Sequence, residues 1–86
     1  MAWVYILRMK NGQFYVGSTV NLEKRLKQHQ QNHTATTARL GIKQLLLKQK
    51  FATLAEARSV ERKIKKLKRK DYIEKMIEER YIRIQP

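Results

Sequence analysis

The hydrophobic positions form short strand-like runs in the N-terminal part of the chain and helical repeats in the C-terminal part. The five consecutive apolar or aromatic residues 3–7 are typical of a strand that is buried on both faces. A turn signal, Lys-Asn-Gly, occupies residues 10–12, and a second apolar run follows at 14–17. The pattern therefore predicts a β-hairpin over residues 3–18.

The length of the hairpin loop decides which side chains share a face of the sheet. We expect an odd, three-residue loop with Gly12 in the left-handed conformation. Tyr5 and Tyr15 then lie on the same face, whereas a two-residue loop would place them on opposite faces. As single residues, both could equally be core or interface aromatics.

Beyond the hairpin, the pattern predicts one further strand and three helices. Asn21 and Thr53 are suited to cap the first two helices. The predicted elements are a helix from Leu22 to about Gln31, a polar loop over 32–41, a strand over 42–51, and helices over about 54–68 and 71–81. The order ββαβαα indicates a small α/β (α+β) domain, with a three-stranded, mostly antiparallel sheet flanked by three helices. The alternating residues 81–84 could pair with a sheet edge or pack back as a tail.

Size and composition exclude several classes of protein. A chain of 86 residues, 42% of them hydrophobic, forms one domain over residues 1–86 with a single small core. With no cysteine, it has neither disulfides nor thiolate metal sites. We find no signal peptide and no run long enough for a membrane helix, so we expect a cytoplasmic protein that does not contact membranes.

The charge distribution is the first indication of function. The chain has 20 Lys and Arg against 7 Asp and Glu, a net charge of +13. Residues 48–70 alone carry ten basic and two acidic side chains. Such an excess causes self-repulsion that a polyanion relieves, and nucleic acid is the usual polyanion. A solvated helix face or an anionic membrane surface would be alternative explanations.

The first predicted helix carries two polar residues on its apolar side. Arg25 and His29 are spaced i, i+4 and share a face with Leu22 and Leu26. A guanidinium can bind phosphate oxygens, and an imidazole can transfer protons near neutral pH. The alternatives are a surface arginine and a structural histidine.

Glu61 is one of the two acidic residues in the basic segment, and it lies at the flank of the apolar stripe of the second helix. A partly buried carboxylate there either pairs with a base, such as Arg58 or Lys65, or holds a cation. Two tyrosines, an arginine, a histidine and a carboxylate near a basic surface could together hydrolyse a phosphodiester.

The motifs resemble those of the GIY-YIG nuclease domain, over about residues 3–77. Val4-Tyr5-Ile6 matches the first motif, with its leading residues replaced, and Tyr15-Val16-Gly17 matches the second, with nine residues between the two tyrosines. Arg25, His29 and Glu61 follow at the family's intervals. The chain is most similar to small stand-alone bacterial members and also resembles the N-terminal nuclease domain of the UvrC excinuclease subunit.

The resemblance implies a metal-dependent endonuclease or exonuclease that acts on DNA in repair or processing. Tyr5 or Tyr15 would orient or deprotonate the attacking water, Arg25 would bind the scissile phosphate, and His29 would assist proton transfer. Glu61 would be the single protein ligand of Mg²⁺ or Mn²⁺. Gly17 would let the backbone approach the phosphate. The residues expected to contact nucleic acid are Gly17, Ser18, Arg39, Arg58, Lys65 and Lys68.

The chain departs from the family pattern at two places. Ser18 stands where several family nucleases carry a lysine, and an asparagine that many members place about a dozen residues after the glutamate is absent. These departures favour a weak enzyme or one that depends on a protein partner. Because 86 residues offer no second domain to select a DNA site, we expect selectivity for single-stranded, nicked or branched DNA rather than for a sequence, with a protein partner as a possible source of specificity. The alternatives are a GIY-YIG domain that binds nucleic acid with little or no cleavage, and a basic domain that binds protein or associates with RNA.

Overall fold

The computed structural model describes residues 1–30, 42–67 and 69–86, without the side chains of residues 29, 30 and 42. Within these residues, the elements follow the predicted order ββαβαα. The strands are β1 (Ala2–Met9), β2 (Phe14–Thr19) and β3 (Ile42–Phe51), and the helices are α1 (Leu22–Gln30), α2 (Leu54–Leu67) and α3 (Lys70–Glu79). The predicted loop over 32–41 lies outside the described residues. None of the described helices is long and apolar enough to cross a membrane.

The hairpin between β1 and β2 is closed by a three-residue loop. The Met9 N–H donates to the Gln13 carbonyl at 2.8 Å, and the Gly12 N–H donates to the Met9 carbonyl at 2.9 Å. Gly12 has a φ of 88°, the left-handed conformation that glycine adopts without steric cost. The odd loop is therefore confirmed, and with it the prediction that Tyr5 and Tyr15 share a face.

The sheet has the strand order β2-β1-β3, and both pairings are antiparallel. The central position of β1 explains why its apolar residues are buried on both faces. Helix α1 covers the face that carries Tyr5, whereas α2 and α3 cover the other face. The first cluster contains Tyr5, Leu7, Met9 and Leu22, with Trp3, Tyr15, Leu26 and Leu45 packed against it. The second includes Val4, Ile6, Val16, Leu47, Ala57, Val60, Ile64, Met76 and Ile82.

The first two helices begin at the predicted caps. The Asn21 side chain accepts a hydrogen bond from the Lys24 N–H at 3.0 Å, and the Thr53 hydroxyl accepts one from the Glu56 N–H at 3.1 Å. Each cap satisfies a backbone donor that the helix leaves unpaired in its first turn. The caps therefore fix where α1 and α2 leave the sheet.

The C-terminal residues pack back onto the sheet instead of adding a strand to it. Ile82 is buried in the core beneath α2 and α3. The side chain of Gln49 binds the backbone of this residue twice: the Ile82 N–H donates to Oε1 at 2.7 Å, and Nε2 donates to the Ile82 carbonyl at 3.3 Å. Of the two arrangements that the alternating sequence allowed, the structure has the packed tail.

Helix α3 ends at a residue whose backbone conformation is unfavourable for an L-amino acid. Arg80 has a φ of 56° and a ψ of 35°. Its N–H donates to the Ile77 carbonyl and the Tyr81 N–H to the Met76 carbonyl, both at 3.1 Å. This is the hydrogen-bond pattern that usually places glycine at the first residue after a helix.

We expect Arg80→Gly to stabilise the protein by up to about 1 kcal/mol, because glycine removes the steric cost of the left-handed conformation. Lys75→Gly, inside α3, should instead destabilise it by about 1 kcal/mol. The free energies of unfolding in urea measure both changes. Destabilisation of similar size in the two variants would contradict the assignment.

Candidate active site at the edge of strand β2

Tyr5 is completely buried, and its ring lies across the backbone of β2. It stands opposite Gly17 in the register of the hairpin. A Cβ atom at residue 17 would lie 2.5 Å from the ring carbon that carries the Tyr5 hydroxyl. Gly17 is therefore required because the phenol of Tyr5 occupies the space of a side chain, a reason that differs from the predicted approach of a phosphate.

Arg25 reaches the Tyr5 hydroxyl from α1. Its Nε donates to the Tyr5 oxygen at 3.4 Å, and its Nη1 donates to Oε1 of Gln28 at 3.2 Å. The hydrogen bond to Tyr5 raises the pKa of Arg25, and Tyr15 adds to the effect through its charge and a further hydrogen bond. The guanidinium is thus held between the two tyrosines by half-buried contacts, and it stays charged.

Burial determines the protonation of Tyr5. It raises the pKa of the hydroxyl above the usual value of 10.0, and it outweighs the opposing effects of the hydrogen bond and the charge of Arg25. Tyr5 is therefore a neutral phenol at neutral pH. Tyr15, by contrast, is only half-buried on the edge strand.

Glu61 lies on α2 and contacts two hydrogen-bond donors. Oε1 accepts a hydrogen bond from the Ser18 hydroxyl, and Oε2 lies 2.6 Å from the Lys65 ammonium. The Glu61 side chain is 18% exposed and that of Lys65 is 54% exposed. Ser18 thus positions the carboxylate against the edge of β2, and the ion pair with Lys65 that the helical spacing allowed is present.

The two halves of the site reach β2 from opposite faces of the sheet. Tyr5 and Arg25 lie on the face covered by α1, whereas Ser18 points to the face covered by α2, where Glu61 lies. Because β2 is an edge strand of the described sheet, groups on its two faces can meet beside it, and Ser18 and Arg25 line the same groove. Burial is the largest cause that raises the pKa of Tyr5, and the charges of Tyr15 and Glu61 act in the same direction.

A groove of about 610 Å³ runs along this edge between α1 and α2. Among the described residues, its cationic side chains are Lys24, Arg25 and Arg58, and its lining contains no acidic side chain. Arg58 also borders an adjoining depression, together with Glu61 and Arg62. The other lining residues of the groove are Ser18, Thr19, Val20, Asn21, Gln28 and Leu54. A positively charged wall therefore leads to the carboxylate.

The structure describes most of the predicted site residues but not all of them. Tyr5, Tyr15, Arg25, Ser18 and Glu61 come together at the edge of β2, with Arg58 and Lys65 beside them. Arg39, Lys68 and the side chain of His29 lie outside the described residues, so their roles stay predictions. Sequence reasoning missed Lys24 and Gln28, although the i, i+3 spacing from Arg25 to Gln28 was a signal for that contact.

Comparison with known proteins identifies the family. Residues 1–76 match the GIY-YIG catalytic domain. The chain belongs to the GIY-YIG family, which is a family of nucleases.

Relatives of this GIY-YIG chain are small bacterial proteins. A UPF0213 protein of Bacillus licheniformis is 42% identical over 80 residues, which cover 91% of this chain and 80% of the relative. A UPF0213 protein of Streptococcus pneumoniae is 39% identical over 70 residues, 79% of this chain and 70% of the relative. The solution structure of a UPF0213 protein from Bacillus halodurans superposes with a TM-score of 0.54 at 30% identity, over 86% and 81% of the two chains. The predicted fold is thereby confirmed.

The raised pKa of Tyr5 predicts a loss of stability in alkali. The unfolded chain releases the proton of this phenol near pH 10.0, whereas the folded chain retains it to higher pH. The free energy of unfolding should therefore fall above pH 10.0, by at most about 1.4 kcal/mol per pH unit from this group. In Tyr5→Phe this contribution is absent, so its stability should fall less steeply. Urea unfolding of both proteins between about pH 8 and pH 11 tests this, and equal slopes would contradict it.

Proposed function

We propose that the protein is a metal-dependent nuclease that hydrolyses DNA phosphodiester bonds at the edge of β2. The observation that carries the proposal is the meeting of Tyr5, Tyr15 and Arg25 with Glu61 at the end of a cationic groove. A role in DNA repair or processing agrees with this chemistry. Membership of a nuclease family supports the reaction class, and the substrate and the metal are inferred from the residues.

Arg25 is the group best placed to hold the scissile phosphate. It is charged, half-buried and fixed by hydrogen bonds to Tyr5 and Gln28, so little entropy is lost when it binds. The basic residues of the groove extend the attraction to neighbouring phosphates, as expected for a protein with a net charge of +13. As negative charge develops on the phosphoryl oxygens, the fixed guanidinium stabilises it.

The oxygen atoms around Glu61 suit a hard divalent cation. One carboxylate and one hydroxyl are the ligand types that Mg²⁺ and Mn²⁺ prefer, and Mg²⁺ commonly retains several waters. Among the described residues, no group of three or more His, Cys, Asp or Glu side chains meets. Glu61 would be the residue that holds the ion. Once bound, the ion would supply Lewis-acid stabilisation of the phosphate.

The two tyrosines have different roles in this proposal. Tyr5 is buried and neutral, and its oxygen accepts a hydrogen bond from Arg25, so it acts as a positioning residue for the guanidinium. Tyr15 is half-buried on the edge strand and is our candidate for the base: its oxygen takes a proton from the attacking water as its own hydroxyl proton passes to solvent. The water oxygen bonds to phosphorus, the phosphorus–oxygen bond to the leaving strand breaks, and that oxygen is then protonated. We assign the protonation of the leaving oxygen to His29, in line with the role predicted from the sequence.

A second function is favoured by one specific contact. The ion pair between Glu61 and Lys65 satisfies the carboxylate without a metal. A domain that binds nucleic acid through the same groove and does not cleave it would need nothing more. The two functions differ in whether Glu61 is required.

Glu61→Gln should abolish metal-dependent cleavage while DNA binding remains. The substitution keeps the shape of the side chain but removes its charge, so we expect at least a hundredfold loss of rate. The measurement uses 5′-labelled single-stranded, nicked, flapped and duplex DNA, with and without Mg²⁺ or Mn²⁺. The DNA form that is cut fastest defines the shape preference.

Glu74→Gln is the matched control, because it neutralises an exposed carboxylate on α3. It should cleave as fast as the unmodified protein. If the unmodified protein and Glu61→Gln both bind DNA and neither cuts it, the protein is a nucleic-acid-binding domain and not a nuclease.

Substitutions of the two tyrosines should have different effects on the steady-state kinetics of cleavage. Tyr15→Phe removes the proposed base and should lower kcat by about 10²- to 10⁴-fold with little change in KM. Tyr5→Phe removes one hydrogen bond to a charged group and should act mainly on KM, by about tenfold. The opposite order, with kcat lost in Tyr5→Phe and retained in Tyr15→Phe, would reverse the two assignments.

A further inference from the structure

Trp3 is the single tryptophan of the chain, and it lies at the rim of the α1 face of the sheet. It is only half-buried and packs against the cluster around Tyr5 and Leu22. Two exposed lysines of β3 lie over its ring. The Lys50 ammonium is 5.1 Å from the ring centroid and the Lys48 ammonium is 5.8 Å from it. An aromatic ring beside two exposed cations is therefore displayed at the surface.

A second groove, of about 430 Å³, begins at this tryptophan. Trp3, Val20, Leu22 and Leu26 form its apolar lining, and Lys48 and Glu23 also line it. Val20 is 62% exposed and lines the groove together with Trp3, so this apolar lining is open to solvent. The described lining of this groove is thus mostly apolar, with one basic and one acidic side chain.

The two grooves meet at the start of α1. Val20 and Asn21 line both of them. A strand that leaves the groove of Arg25 and Arg58 across these two residues would therefore arrive directly at Trp3. Among the described lining residues Glu23 is the acidic one, and its carboxylate lies 4.0 Å from the exposed Lys27 ammonium.

We propose that Trp3, Lys48 and Lys50 form a subsite for an unpaired nucleotide of single-stranded DNA, flanking the cleavage groove. This inference rests on the proposed function, because it assigns the strand that enters the same site. An unpaired base stacks on the indole, and the two ammonium groups move from the ring to the adjacent phosphates. Stacking of a base on an aromatic side chain is stronger than a surface cation–π contact, so the exchange favours binding.

Duplex DNA does not fit this subsite as well as a single strand. Its bases are stacked on each other and cannot reach an indole at the side of a groove without unpairing. A single strand exposes the faces of its bases and can follow both grooves in turn. The subsite would therefore select unpaired DNA next to the scissile bond.

The fluorescence of Trp3 tests the proposal directly, because no other tryptophan contributes to it. The protein is Glu61→Gln in metal-free buffer, so cleavage plays no part. A dT oligonucleotide of about 12 nucleotides should quench the emission at saturation, and a blunt hairpin duplex should not. An abasic strand of the same length, which keeps the phosphates, should bind without quenching. Equal quenching by the abasic strand would overturn the stacking.

Anisotropy of labelled DNA measures the affinity of variants that lack the indole. Trp3→Leu should bind dT about tenfold more weakly and bind the abasic strand as before. Trp3→Phe, which keeps an aromatic ring, should recover part of the loss. Both variants are compared after circular dichroism has shown that they are folded. An unchanged affinity of folded Trp3→Leu for dT would overturn the proposal.

The lysines have a matched control on the opposite side of the sheet. Lys48→Gln with Lys50→Gln should reduce the slope of log affinity against log salt by about 1.4, for two phosphates of a single strand. Lys75→Gln on α3, which changes one exposed charge, should leave the slope nearly unchanged. A larger change of the salt slope in Lys75→Gln than in the double variant would contradict the placement of the phosphates at Lys48 and Lys50. Tighter binding of a U-containing RNA than of dT would contradict the assignment to DNA. If the unmodified protein cleaves DNA but unpaired DNA does not bind at Trp3, the subsite is disproved and the proposed nuclease function stands.

Discussion

The closed loop of residues 10–12 sets the register on which the arrangement of the site depends. Because Gly12 adopts a left-handed conformation, the loop takes three residues, and Tyr5 comes to lie opposite Gly17. A shift of one residue would turn Tyr15 toward α2 and bring a side chain against the phenol. One turn residue therefore determines which aromatic groups meet Arg25.

The edge position of β2 explains how two faces of one sheet can serve one site. A central strand would separate Arg25 from Glu61 by a layer of paired backbone. At the edge, the α1 side supplies the guanidinium and the phenols, and the α2 side supplies the carboxylate. The helix caps at Asn21 and Thr53 contribute to this geometry, since each fixes the start of the helix that carries these groups. Catalytic geometry and strand order are thus linked.

The parts of the structure that depend on neighbouring residues were predictable from the sequence, and those that depend on distant contacts were not. The turn at Gly12 and the two caps follow from local chemistry, and the burial of β1 follows from its unbroken apolar run. The packing of Ile82 depends on Gln49, which is 33 positions away. Likewise, the reason for Gly17 appears only when Tyr5 crosses it. Motif spacing identified Glu61, but its contact with Ser18 spans 43 positions and needed the structure.

The packing of Tyr5 across Gly17 has a consequence for sequence variation. The two residues belong to different motifs, yet they share one volume, so a substitution at either position changes what the other can be. A methyl group at position 17 could be accommodated only if the aromatic ring at position 5 became smaller or moved, and a smaller ring would leave Arg25 without its partner. The two positions should therefore show strong epistasis, and among related sequences they should vary together or not at all.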